Sequence, residues 1–279
     1  MPTRRATVLL GLLWCAGCLV PPWEWDGLDP NVPPVTEGSW YRPTVDTTWT
    51  WQLRGTLNES YDVQAYDVDL FDTPRETISR LKQSGRRVIC YFSAGSSEDW
   101  REDDGDFHFT DRGLPMAGWA GERWLNIRSE TVMAVMQARL ARAVEKGCDG
   151  VEPDNVDGYA NATGFHLSAA DQRAFNRALA NDAHRRGLTV ALKNCGGLAP
   201  ELVAYFDLSL NEQCHELNEC GELQPFLDAG KPVFNAEYQP SYREDPGLAE
   251  LCARARADRT RTLVLALELD DSFRASCDP

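Results

Sequence analysis

Between Gly147 and Tyr159 the chain reads Gly-Cys-Asp-Gly-Val-Glu-Pro-Asp-Asn-Val-Asp-Gly-Tyr. Asp149, Glu152, Asp154 and Asp157 fall in this stretch, and neither Lys nor Arg does. The acids are separated by Gly, Val, Pro and Asn behind a short apolar lead, Gly150-Val151. Carboxylates spaced in this way suit a polar site at a strand end better than a salt-bridged surface. Such a set can bind calcium, or exchange protons and attack carbon as an acid, a base or a nucleophile. Which of these it does depends on what the rest of the chain places beside it.

The positioning elements repeat. Apolar runs that read as strands occur at 48–53, 63–71, 88–92, 150–154, 188–193, 206–211, 232–236 and 262–267. Between most of them lie helical patterns with end signals: Pro74 before 75–83, Ser129 before 130–146 with Gly147 after, and Ser168 before a helix to Arg186 with Gly187 after. Shorter helices are expected after Pro200, at 223–229 and at 248–257. The segment 93–128 reads as a long irregular loop. Strands alternating with helices call for a parallel sheet, and eight repeats in one domain predict a closed (β/α)8 TIM barrel. No Gly-x-Gly-x-x-Gly follows the first strand, so the dinucleotide site of an open α/β sheet is absent.

In such a barrel the C-terminal strand ends build the site. Here they carry Asp67 and Asp69 (second strand), Tyr91 (third), Asp154 and Asp157 (fourth), Lys193 and Asn194 (fifth), Glu212 and Gln213 (sixth), and Glu237 and Tyr238 (seventh). Nearly every strand turns from apolar to acid or amide at the same end. Carboxylates, amides and aromatic rings with only four His in the chain suit carbohydrate chemistry. Cutting a glycosidic bond needs two carboxylates flanking it. Asp154 and Glu212 end the fourth and sixth strands and can face each other across the mouth, with Lys193 between them to hold a carboxylate ionised. Trp49, Trp51, Trp100, Trp119 and Trp124 are candidate sugar platforms, Trp51 foremost.

The strand-four run Val-Glu-Pro-Asp-Asn-Val-Asp-Gly-Tyr resembles a signature of glycoside hydrolase family 114, the endo-α-1,4-polygalactosaminidases. So do Tyr66 to Asp72, Cys90 to Gly95, Trp124 to Arg128, Lys193-Asn194 and Asn211 to Cys214. The resemblance runs from about Trp49 to Asp271, with Pro153 departing from the family pattern. It implies a (β/α)8 barrel that cuts α-1,4-linked galactosamine polymers, with Asp154 and Glu212 as catalytic pair. A retaining mechanism is expected, with Asp154 attacking and Glu212 as acid then base, the two roles being exchangeable. Asp67, Asp69, Asp157 and Glu237 would bind the sugar ammonium groups. No cofactor and no metal is expected. Two other readings stay open: a barrel that binds an amino sugar without cutting it, and a glycosidase of different linkage specificity. Melting or activity that responds to a chelator would revive the calcium reading.

Among 279 residues, 43% are hydrophobic and the formal charge is −15. That charge argues against nucleic acid as partner and favours a cationic polysaccharide. Residues 1–18 read as a signal peptide: Arg4 and Arg5, an apolar stretch from Ala6 to Trp14, then Cys15-Ala16-Gly17-Cys18. Cys18 is the candidate lipidated residue, giving an exported monomer attached to a membrane only through a lipid anchor, or a secreted one. Residues 19–45, rich in Pro, read as a tether, and 46–279 as the single catalytic domain. In an oxidising compartment cysteines pair. Cys214–Cys220, Cys252–Cys277 and Cys148–Cys195 are the expected bridges, leaving Cys90 as a packed free thiol.

Overall fold

The computed structural model describes residues 28–278. The expected signal peptide, Cys18 and the first part of the tether lie outside them.

Eight strands run parallel and neighbour one another in chain order: β1 (Trp49–Gln52), β2 (Ala65–Asp69), β3 (Arg87–Ser93), β4 (Gly150–Asp154), β5 (Thr189–Lys193), β6 (Leu208–Glu212), β7 (Val233–Glu237) and β8 (Arg261–Leu265). A ninth, β9 (Arg274–Ser276), adds antiparallel to β8. The sheet is curled, and its first strand returns to its last. The Arg274 guanidinium donates to the Trp49 carbonyl and Thr50 Oγ1 at 3.0 and 3.1 Å, and the Trp49 indole donates to the Arg261 carbonyl at 2.8 Å. No strand ladder joins β1 to β8 or β9 among the described residues.

Both faces of these strands are buried, so each strand reads as a continuous apolar run with a hidden period of two. Trp49, Ala65, Ile89, Ala191, Leu208, Leu210, Phe234, Ala236 and Leu263 fill the inside of the curl. Tyr66, Val68, Val88, Cys90, Phe92, Val151, Val190 and Leu192 face the helix layer. That layer holds α1 (Arg75–Gln83), α2 (Glu130–Lys146), α3 (Ala169–Arg185), α4 (Ala199–Leu202), α5 (Cys214–Leu217), α6 (Gln224–Asp228) and α7 (Gly247–Ala257). The helix ends follow their signals. Ser168 and Asp171 form a capping box on α3, and Gly147 closes α2 with φ +89°. Ser129 precedes α2 as expected but makes no side-chain cap.

Three expectations are corrected. The loop after β3 is not irregular: Ser96–Glu98, Arg112–Pro115 and Glu122–Leu125 pair into a three-stranded antiparallel sheet over the strand ends. The described part of the tether, from residue 28, does not stand off the domain. It straps across the N-terminal ends of the strands. Trp40 stacks on His184 at 4.2 Å and donates to Asp207 at 3.0 Å, and Asn181 bonds the Val35 amide at 2.8 Å and the Pro33 carbonyl at 2.9 Å. Finally, Cys90 is not free. It pairs with Cys148, while Cys195 is the buried free thiol. Cys90 faces outward on β3, where the chain entering β4 brings Cys148 within a Cα distance of 6.1 Å. The other two bridges, Cys214–Cys220 and Cys252–Cys277, form as expected.

Candidate active site

Alternation decides which strand-end residues meet. Inward positions on β2, β3, β4, β5 and β6 deliver Asp67, Tyr91, Glu152, Asp154, Lys193 and Glu212 to one place. On β7 the inward series is Phe234, Ala236 and then Tyr238, so Tyr238 joins them and Glu237 does not. Glu237 is fully buried on the other face, where its carboxylate accepts from the His215 amide at 2.8 Å and from Asn235 at 3.0 Å. Its expected role in holding sugar ammonium groups is corrected for that reason.

Lys193 is the hub. Its ammonium lies 3.1 Å from Glu152 Oε1, 3.1 Å from Asp154 Oδ1 and 3.2 Å from Glu212 Oε2. It also sits 4.6 Å from the centre of the Trp51 ring. Two acids of the 147–159 stretch, Glu152 and Asp154, thus converge on the chain's own cation, whereas Asp149 pairs with Arg87 at 3.1 Å and Lys82 at 3.3 Å. Around it, Tyr91 donates to Asp154 Oδ2 at 3.2 Å and Asn194 to Glu212 Oε2 at 3.3 Å, and Tyr238 donates to Glu212 Oε1. Burial pushes the Glu212 carboxyl up, but Lys193, Tyr238 and Asn194 outweigh it, and the net direction is down. For Lys193 burial works against the charge, but the three carboxylates hold its ammonium well above the ordinary range.

Beneath the hub, Asp67 and Glu152 are both buried side by side. Burial raises both, Asp67 to about 7. All four of their oxygens lack a hydrogen-bond partner, and Glu152 has only the Lys193 ammonium at 3.1 Å as an ion pair. Asp67 is thus sealed under the site rather than open to substrate, against the sequence expectation. Asp69 lines the cleft but its carboxylate is committed to the protein: Arg101 clamps it at 3.0 and 2.6 Å, and it caps the Phe71 and Asp72 amides. Trp51 is 3% exposed and serves as the wall behind Lys193 rather than as a sugar platform. Trp49 and Trp124 are buried too.

The open space above is a cleft of about 900 Å³ lined by Tyr91, Asp154, Lys193, Asn194 and Glu212, among others. The three-stranded excursion supplies its far wall, with Trp100 49% and Trp119 41% exposed at the rim. It also supplies Glu98, Arg101 and Glu122, which sequence reasoning missed. Glu122 is 6% exposed and takes a hydrogen bond from Ser96 at 2.8 Å. Burial, aided by Glu98 and Asp154, raises its carboxyl to about 7. Apart from Arg101, which Asp69 and Glu98 engage, no cation neutralises it. The weak alternation of Glu122-Arg123-Trp124-Leu125 was the signal available for this wall.

The backbone at the rim is held in uncommon conformations. Asn155, Asn194 and Gln213 leave β4, β5 and β6 with φ of +59°, +47° and +61°. Left-handed turns of this kind are tolerated by Asn but cost about 1–3 kcal/mol where the residue resists them, and they cluster where a site over-determines the chain. Gly95 makes the turn after β3 possible, since a Cβ there would lie 1.8 Å from the Asn155 carbonyl oxygen. Gln213 itself bonds Glu216 at 2.9 Å, and Asp157 stands farther out, away from Lys193's first contacts. Cys214, His215 and Cys220 bring metal-ligating types together, but both sulfurs are spent in a disulfide.

A crystal structure of Ega3 from Aspergillus fumigatus in complex with galactosamine is 40% identical to this chain. Its TM-score is 0.82 over 86% of this chain and 99% of that one. The glycoside hydrolase domain of PelA from Pseudomonas aeruginosa shares the fold, at 18% identity and a TM-score of 0.66 over 82% of this chain and 98% of that one. Eubacterium rectale Amy13B shares it more loosely, at 9% identity and a TM-score of 0.54 over 84% of this chain and 67% of that one. Comparison with curated proteins finds no match. The model of glycoside-hydrolase family GH114 matches residues 30–279, which is most of the sequence. The chain therefore belongs to glycoside-hydrolase family GH114 and is a glycoside hydrolase.

Proposed function

We propose that this enzyme cuts α-1,4-linked, de-N-acetylated galactosamine polymer within a closed (β/α)8 barrel, using Asp154 and Glu212. The observation that carries this is Lys193, whose ammonium bridges an oxygen of each carboxylate in a cleft rimmed by exposed Trp100 and Trp119. Galactosamine bound in a 40% identical relative supports the sugar. Because one ammonium touches both groups, their near oxygens are at most two ion-pair lengths apart. We propose the retaining route, in which a covalent glycosyl-enzyme forms and is then hydrolysed.

In that route Asp154 attacks the anomeric carbon while Glu212 protonates the departing oxygen. Glu212 then takes a proton from water as the glycosyl ester is hydrolysed. Lys193 pairs with Asp154 at 3.1 Å and offsets the charge that shifts between the two acids. Tyr91 and Tyr238 orient one carboxylate each. Glu122 and Glu268 line the cleft beside the path of the sugar ammonium groups, Glu268 paired with Arg54 at 2.6 Å, with Asp157 outside it. Export through the N-terminal signal, with anchoring at Cys18 or full secretion, accords with three disulfides.

A second reading exchanges the two roles, and the depressed Glu212 carboxyl favours it, because an ionised group is ready to attack. Trapping the glycosyl-enzyme with a fluorinated galactosaminyl fluoride and mapping the labelled peptide decides between them. A label on Asp154 supports the first assignment and one on Glu212 the second. Wild-type protein that takes up no label and releases no shorter products contradicts both.

A further inference from the structure

The cleft around Lys193 is not the whole of the concave surface. A second groove, about 1170 Å³, continues from it past Asn194, Glu212, Trp119 and Leu267, which line both. Its lining includes Glu212 but not Asp154. It runs outward over the loops that follow β5 and β6.

Its chemistry is one-sided. Asp157, Glu212, Glu219 and Glu222 line it, and no Lys, Arg or His does. Asn211 adds a separate indication of a ligand. Its side chain is 7% exposed, its amide nitrogen donates to Asn194 at 3.3 Å, and its Oδ1 has no hydrogen-bond donor although the residue lines the groove. A buried acceptor left open costs about 1–3 kcal/mol unless something donates to it. The groove floor is shaped by two glycines. A Cβ on Gly196 would lie 2.5 Å from Glu222 Oε2, and one on Gly197 would lie 2.9 Å from the Tyr159 hydroxyl. Both side chains therefore lie directly on the loop backbone. Exposed Leu217 and Leu267, each 54% exposed, give apolar surface for a sugar face beside these polar groups.

We infer that this groove holds the amino-sugar units on the leaving-group side of the scissile bond, with Glu222, Asp157 and Asn211 as their ammonium and hydroxyl partners. The direction rests on the first assignment of roles above. The sugar that is attacked must sit against Asp154, which only the inner cleft offers. The departing oxygen must sit against Glu212, where the two spaces meet. The polymer's reducing side then has one continuous acidic path outward.

The test uses the full protein and two substrates: a de-N-acetylated α-1,4-galactosamine oligomer labelled at its reducing end, and an aryl α-galactosaminide that reaches no farther than the junction. In the Glu222→Gln variant, kcat/KM on the oligomer should fall about tenfold, since a hydrogen bond to a charged group carries about 1.5–3 kcal/mol. On the aryl galactosaminide it should not change. Labelled products should become shorter, because fewer units are held on the labelled side. In the non-cutting Asp154→Asn background, the oligomer's Kd should weaken by a similar factor when Glu222→Gln is added. Equal losses on both substrates, no loss on either, or an unchanged Kd would overturn the groove. Longer labelled products would overturn its direction. Should the wild type bind the oligomer and cut nothing, the proposed function fails while the Kd comparison still decides the groove.

Discussion

At the N-terminal ends of the strands, His184 sits between the Val35 carbonyl at 3.0 Å and the Asp207 carboxylate at 2.9 Å. Asp207 also accepts from the Trp40 indole at 3.0 Å and the Val190 amide at 3.1 Å. Its two oxygens are fully engaged. At the C-terminal ends, Asp67 and Glu152 have only the nearby Lys193, and Asn211 Oδ1 and Glu237 Oε2 lack a donor. Burial is similar at the two ends and Asp182 Oδ2 beside the strap also lacks a partner; what differs is that the mouth gathers several open groups in one place. Buried polar groups with full partners add to stability, whereas groups left open are costly and persist where chemistry uses them. The strap end of the molecule is thus built to hold, and the mouth to act.

Substitution at the mouth should therefore separate activity from stability. Asp154→Asn and Glu212→Gln are expected to lower kcat about a thousandfold on galactosamine oligomers, the scale of acid–base catalysis. Their melting temperatures should stay level or rise, because each change removes a charge from a crowded site. A fall of many degrees would place these carboxylates among the structural groups instead. The reverse holds at the strap. His184→Ala leaves the Trp40 stack and Asp207 short of a partner and should cost about 3 kcal/mol. By thermal unfolding this is a drop of about 5–10 °C, with kcat of the folded fraction unchanged.

Asp67, buried under Lys193, gives a pH signature. An unfolded Asp titrates near about 3.9, and the folded Asp67 near about 7. Between those values the folded state binds more protons, so this group's contribution makes stability fall as pH rises from about 4 to about 7. Asp67→Asn should flatten that fall, read as melting temperature against pH for variant and wild type. Parallel curves would mean that the Asp67 carboxyl is not raised in the folded protein. The smallest effect is expected at the rim. Trp119→Ala should raise KM on oligomers up to about tenfold by removing apolar contact area, with kcat little changed.

Much of this division was written in the chain. The switch from apolar residues to acids at Asp154, Glu212 and Lys193 marks the strand ends because βα repeats put those ends on one face. Alternation also separates Tyr238 from Glu237, but only when counted from Phe234, and both faces of β7 are apolar enough to hide the count. Asp67 and Asp69 look alike in sequence. Their environments differ only through Glu152 and through Arg101, the latter on the antiparallel excursion, and neither contact is local. The bridge between Cys90 and Cys148 was illegible for a related reason: strands with two buried faces give no sign of which side a cysteine takes. The strap was misread because proline excludes helix and central strand but says nothing about docking.

The most direct measurement is the release of reducing ends from de-N-acetylated α-1,4-galactosamine polymer and from its N-acetylated counterpart, by wild type, Asp154→Asn and Glu212→Gln. The wild type should shorten the free-amine polymer at least tenfold faster than the acetylated one, as expected if ammonium groups meet uncompensated carboxylates. Both variants should lose about a thousandfold on it. Equal cutting of the two polymers, or undiminished cutting by either variant, would contradict the account.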